Sequence, residues 1–222
     1  MVTENVGIVI VKVKADEMNN LISLYVDIFQ DREPLTKWLG YSKKQMVSVA
    51  MSLYGDTNNN PVIQGMSWFA REQAGSNNEV GFIVCDDPGI VRDKSIPDIM
   101  SIDDQEKISY LMRVLEEIRS PIKQYIMMGE GKCFHVSAVG VAPGYEGKGI
   151  GKKLLQEALA DARKRGFSYA FSECTSLASR ILHEKLDFTI RNTVRLESLQ
   201  MNGSHNDGGT SVEVYLMWKE LD

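Results

Sequence analysis

The sequence predicts one α/β domain of the α+β kind over residues 1–222, with a mixed central sheet flanked by helices. Three observations predict it. Strands and helices alternate regularly only in the second half, while the first half holds a strand, two helices and a hairpin. One strand runs through a glycine-rich loop into an amphipathic helix. No repeat or linker-like tract divides the chain.

The elements follow in order. Val6–Val13 is rich in β-branched residues and reads as a strand. Asp16–Phe29 places Met18, Leu21, Ile22, Tyr25 and Ile28 at helical spacing, and Pro34 requires that helix to end by Glu33. Tyr41–Tyr54 reads as a second helix with Ser42 as its N-cap. Val62–Arg71 and Glu79–Cys85 read as strands of a hairpin joined at Gly75–Asn78. Asp86–Ser101 reads as a loop and Asp103–Ile118 as a helix. A strand over Phe134–Val141 leads to a helix over Gly149–Lys164, stopped by Gly166. Phe167–Cys174 is then a strand, Leu177–Leu186 a short helix and Phe188–Arg195 a strand. Asn202–Gly209 is a turn, and Ser211–Trp218 is the last strand.

Composition narrows the function classes. Hydrophobic residues make up 43% and charged residues 25%, an ordinary globular balance. The net charge of −5 does not suit a protein that grips a phosphate backbone, so no nucleic-acid partner is expected. No stretch approaches the roughly 18 apolar residues of a membrane span. Cys85, Cys133 and Cys174 form neither a disulfide framework nor a zinc spacing, so no metal is expected. With no basic, apolar leader at the start, the expected setting is cytoplasmic and reducing.

The stretch Val139–Leu155, VGVAPGYEGKGIGKKLL, carries the most chemistry. Gly147, Gly149 and Gly151 allow close backbone approach to a ligand and unusual backbone angles. The helix that follows offers unpaired N–H groups and the positive end of its dipole. Together they make a cradle for a diphosphate. A nucleotide P-loop is excluded, because Glu146 and Lys153 stand where it needs glycine and a hydroxyl. A dinucleotide fingerprint fails at Lys152. The plain alternative is a glycine-rich turn without a ligand.

This segment resembles the acetyl-CoA signature of the GNAT acetyltransferases, (Gln/Arg)-x-x-Gly-x-(Gly/Ala). Here it reads Glu146-x-x-Gly149-x-Gly151 after Val141, Pro143 and Tyr145. Glu146 departs from the pattern, and Lys148, Lys152 and Lys153 are near enough in sequence to offset its charge. The resemblance implies a sheet whose two middle strands, Phe134–Val141 and Phe167–Cys174, splay apart around acetyl-CoA. It further implies a cofactor site of Val139, Gly140, Val141, Glu146, Gly147, Lys148, Gly149, Ile150, Gly151, Lys152 and Ser176. Backbone N–H groups near Val139 and Val141 would hold the thioester carbonyl.

A second resemblance is to the insect-type arylalkylamine N-acetyltransferases. It rests on Phe29-Gln-Asp-Arg-Glu-Pro-Leu35, and on Ser179 with Lys185-Leu-Asp-Phe188. It makes Glu33 the general base, with Asp31 the next candidate. Ser179 and Thr175 become hydroxyls near the reacting groups. The tyrosine that protonates the leaving thiolate elsewhere in the family is replaced by His183. That histidine reads either as the acid or, more plainly, as a residue on the helix surface. Cys174 ends a strand with no histidine placed by sequence to activate it, and reads as structural. Trp38, Tyr41 and Trp68 read as an aromatic pocket or as plain core. The expectation is an acetyl-CoA-dependent N-acetyltransferase working on a small primary amine by direct transfer, as a monomer or homodimer. The alternatives are polyamine, amino-acid or protein-amine acceptors, or a catalytically silent acyl-CoA-binding module.

Overall fold

The structure, a computed structural model, describes residues 7–55, 60–73, 78–90, 102–196 and 211–221. Seven strands form one sheet: β1 (Ile8–Lys12), β2 (Ser67–Glu72), β3 (Glu79–Asp86), β4 (Cys133–Val141), β5 (Tyr169–Cys174), β6 (Thr189–Leu196) and β7 (Val212–Glu220). Their order is β1-β2-β3-β4-β5-β7-β6. Only β4 and β5 run parallel to each other, and every other neighbouring pair is antiparallel.

The helices are α1 (Met18–Phe29), α2 (Pro34–Leu39), α3 (Lys43–Tyr54), α4 (Ile102–Ile118), α5 (Lys123–Ile126), α6 (Ile150–Lys164) and α7 (Leu177–Glu184). Among the described residues, no helix is long and apolar enough to cross a membrane. Helix α1 buries Leu21, Ile22, Tyr25, Val26 and Ile28 beside Phe69 and Phe82 of the sheet. Helix α3 starts with a reciprocal cap, Ser42 with Gln45. Helix α6 buries Ile150, Leu154, Leu155, Ala158, Leu159 and Ala162 on the opposite face, against Trp68, Ile83 and Phe134. Each such leucine contributes about 1.5–3 kcal/mol by leaving water. A third apolar cluster joins Ile118 of α4 to Phe171 and Trp218.

Two backbone irregularities shape the middle of the sheet. Val84 pairs with Ala138 but Cys85 pairs with Val136, so Ser137 is one residue too many and bulges from β4. Strand β4 meets β5 only at Cys133, Phe134 and His135; beyond that point the two strands separate. The middle strands therefore splay, and a cleft opens between them.

Some sequence expectations need correction. Val62–Gly65 is a turn, not the start of β2. The Asn60 side chain organises it by accepting from the Ile63 N–H and donating to the Gly55 carbonyl. Between α1 and α3 the chain forms the short helix α2, which the sequence reading did not include. A further 3-10 turn (Ser120–Ile122) and α5 follow α4. The predicted turn at Asn202–Gly209, and most of those at Gly75–Asn78 and Asp86–Ser101, lie outside the described residues.

Candidate active site

The cleft has a volume of about 1700 Å³. This exceeds the roughly 300–1,000 Å³ of a pocket for one drug-sized ligand, and leaves room for two partners. One wall is the free edge of β4. Ala142 donates to the Val80 carbonyl, so residues 138, 140 and 142 turn their amides toward β3. By alternation the amides of Val139 and Val141 face the cleft.

The glycine loop closes that end. Gly147 and Gly149 have φ of 74° and 77°, and a Cβ at either position would meet nothing within 4 Å. Gly149 is the N-cap of α6, and the first intrahelical bond runs from Lys153 to Gly149. The N–H groups of the first helical turn thus have no helical partner and point at the cleft. The residues present fit a diphosphate. Tyr145 ties the loop to β2 by donating to Glu72 at 2.7 Å. Lys148 lies over the Tyr145 ring at 4.8 Å and does not line the cleft. Val139, Gly140, Val141, Glu146, Gly147, Gly149, Ile150, Gly151, Lys152 and Ser176 all line it.

Residues 103–188, which hold β4, the loop, α6, β5 and α7, match the acetyltransferase (GNAT) family. The C-terminal condensation domain of Ebony in complex with β-alanyl-dopamine has a similar fold. Its TM-score is 0.77 at 18% identity, covering 97% of this chain and 99% of that one. The polyamine N-acetyltransferase of Drosophila melanogaster that forms N-acetylagmatine gives 0.68 at 18%, covering 97% and 100%. Arylalkylamine N-acetyltransferase 2 of Aedes aegypti gives 0.69 at 15%, again covering 97% and 100%. At these identities the likeness is one of fold.

Within this GNAT fold, Glu33 stands on the cleft wall as the N-cap of α2. Its carboxylate accepts from the Leu35 N–H at 3.0 Å, from the Thr36 N–H and from the Thr175 hydroxyl. Three donors from two elements fix its direction. Thr175 follows β5, so the carboxylate sits at the mouth of the β4–β5 fork. Ser176 caps α7 by accepting from the Ser179 N–H at 3.1 Å. The Ser179 hydroxyl donates to the Cys174 sulfur at 3.2 Å, and Ser179 borders the cleft.

His183 departs from both sequence readings. It is neither on the helix surface nor in the cleft; it is fully buried and packs edge-on to Phe188. Its Nδ1 donates to the Ser179 carbonyl at 2.9 Å, while Nε2 is buried without a partner among the described residues. Burial pulls its pKa down to about 4. A neutral ring walled off from the cleft has no route to a leaving thiolate. The structure does place His183 beside Cys174, at 3.3 Å, which sequence spacing did not suggest. The nitrogen in contact already carries its proton to Ser179, so it takes none from the thiol. Burial pushes the Cys174 thiol up to about 12.

The aromatic expectation divides. Tyr41 lines the cleft, Trp38 stacks on Tyr110 at 5.6 Å, and Trp68 lies in the core under α6.

Sequence reasoning missed a chain of charges at the fork. His135 of β4 contacts Asp86 of β3 through Nδ1 at 2.6 Å and Glu173 of β5 through Nε2 at 2.8 Å. Arg119, just after α4, closes on the other Glu173 oxygen. The side chains of Asp86, His135 and Glu173 are each less than a tenth exposed. Burial raises the Glu173 pKa, but Arg119 and His135 outweigh it and hold the carboxyl well below its ordinary range. A carboxylate at each ring nitrogen is the pattern of a doubly protonated imidazole. The available signal was a charged or titratable side chain in each of two otherwise apolar strands, CFHVSAVGV and YAFSEC.

Proposed function

We propose that this protein is a GNAT-type, acetyl-CoA-dependent N-acetyltransferase whose acceptor is a small primary amine, an arylalkylamine in the first instance. One observation carries the reading: a carboxylate, Glu33, is held by three donors on the wall of the same cleft into which the glycine loop and the free edge of β4 open.

A primary alkylamine has a pKa of about 10 and arrives protonated at neutral pH, unable to attack. Glu33 takes that proton, directly or through a water. Acetyl-CoA supplies the acetyl group as a thioester. The amides of Val139 and Val141 hold the carbonyl oxygen as charge builds on it. The first turn of α6, with Gly147 and Gly149, holds the diphosphate. Thr175 keeps Glu33 aimed.

The acceptor side favours an aromatic amine over a polyamine. Phe29, Leu35, Leu39, Tyr41, Ile108 and Leu111 line it with apolar surface. The carboxylates deeper in, Asp86 and Glu173, are already engaged by His135 and Arg119. All three cysteines are free thiols, which suits a reducing, cytoplasmic setting.

The test is release of CoA thiol with tryptamine, dopamine, spermidine and a lysine peptide, in wild type and Glu33→Gln. Turnover on the arylalkylamines should fall by about 10²- to 10⁴-fold in the variant, the usual contribution of a positioned base. Turnover confined to spermidine or the peptide would overturn the acceptor. Tight CoA binding with no turnover on any amine would leave a binding module.

A further inference from the structure

An acidic residue beside a diphosphate cradle is an unfavourable choice, and the structure shows how Glu146 is handled. One carboxylate oxygen folds back on its own loop and accepts from the Gly144 N–H at 2.7 Å. The other is paired with the guanidinium of Arg32. Arg32 comes from a different part of the fold, the turn between α1 and α2, and it lines the cleft beside the loop. The side chains of both partners are more than two-fifths exposed, so the pair is in contact with solvent and open to exchange. Exposed pairs of this kind contribute little on their own.

A diphosphate in the adjacent cradle would present a denser negative charge than one carboxylate, with the paired oxygens that a guanidinium fork matches. Lys148, between Gly147 and Gly149, is turned onto Tyr145 instead, while Lys152, after Gly151, lines the cleft from the first turn of α6. We propose that Arg32 is the cofactor-side cation of this protein: it pairs with Glu146 in the free protein and passes to the diphosphate when the donor binds. Glu146 then competes with the diphosphate for the guanidinium and holds it only while the cradle is empty. This rests on the reading that the glycine loop takes the diphosphate of acetyl-CoA.

Calorimetric binding of CoA, 3′-dephospho-CoA and pantetheine to wild type, Arg32→Gln, Glu146→Gln and Arg32→Gln/Glu146→Arg tests it without turnover. The Arg32→Gln variant should weaken CoA and 3′-dephospho-CoA alike by about tenfold, the scale of one charge-assisted contact, and leave pantetheine unchanged. Glu146→Gln should bind CoA as tightly as wild type or tighter, since Arg32 is released. The double variant, which moves the cation onto the loop, should recover most of the lost affinity. Equal losses for CoA and pantetheine, or no loss for either, would reduce Arg32 to a structural latch and overturn the proposal. So would a Glu146→Gln variant as weak as Arg32→Gln, or a double variant that recovers nothing. A loss confined to CoA would place Arg32 on the 3′-phosphate and overturn it too. Wild type that fails to bind CoA at all would overturn the acetyl-CoA reading with it.

Discussion

Glu33 and His183 show what one side chain reveals before folding and what it does not. Glu33 was singled out by the resemblance of its Glu-Pro-Leu run, and the structure puts it on the cleft wall. The partner that aims it, Thr175, is 142 residues away and leaves no local trace. His183 misled because α7 is strongly amphipathic and both of its faces carry polar letters. Only packing shows that the histidine is on the inside. Its burial has a consequence in acid. The folded state holds His183 neutral down to a pKa of about 4, while the unfolded chain takes the proton near 6.5. Stability is therefore unaffected above pH 6.5, falls as pH drops from 6.5 toward 4, and levels off below. Thermal unfolding across that window should show the decline in wild type and a flatter profile in His183→Phe. Activity on the best amine should survive that substitution within a few fold. A collapse of activity with stability intact would restore the histidine to the chemistry.

At the level of elements, the long periodic segments were the readable ones. Helix α6 has an apolar face repeating every three to four residues and glycines at both ends, so its limits were predicted almost to the residue. Helix α2 was missed because its six residues make less than two turns, too few for a period to show. Val62 and Ile63 imitated a strand, but the Asn60 cap and Gly65, with φ of 66°, bend them into a turn. The bulge at Ser137 left no mark in composition, because a register shift belongs to a pair of strands. Strand β4 also tolerates little added bulk. A Cβ on Gly140 would lie 2.7 Å from the Phe82 ring and 3.1 Å from Ile28. Gly140→Ala should cost about 1–3 kcal/mol as an overpacked site, read from urea unfolding. It should also weaken CoA binding, since the strand that shifts is the one edging the cleft. An unfolding midpoint equal to wild type would mean that Phe82 yields freely.

Across the whole molecule, the sheet opens at one junction. Asp86, His135, Glu173 and Arg119 tie three neighbouring strands and the segment after α4 together where β4 and β5 stop pairing. The polar side chains of β4 and β5 hint at it, but which groups meet is not legible in sequence, because the four residues come from four separate parts of the chain. Glu173→Ala would remove the carboxylate shared by the buried His135 Nε2 and Arg119, so a loss of about 3–5 kcal/mol is expected by chemical denaturation, well beyond a surface pair. In wild type the Glu173 contribution is complete above the ordinary carboxylate range near pH 4.5 and is lost as pH falls below it. That second acid step should be absent from the variant. The three thiols complete the account. Cys85, Cys133 and Cys174 are all buried, and burial raises each thiol well above its usual value. A thiol-directed electrophile or oxidant in the surrounding solution therefore meets no reactive cysteine on the folded chain. Under the proposed reaction, the thiol it would encounter is the one liberated with each turnover, so thiol oxidation would register on the product pool and not on the protein's own cysteines.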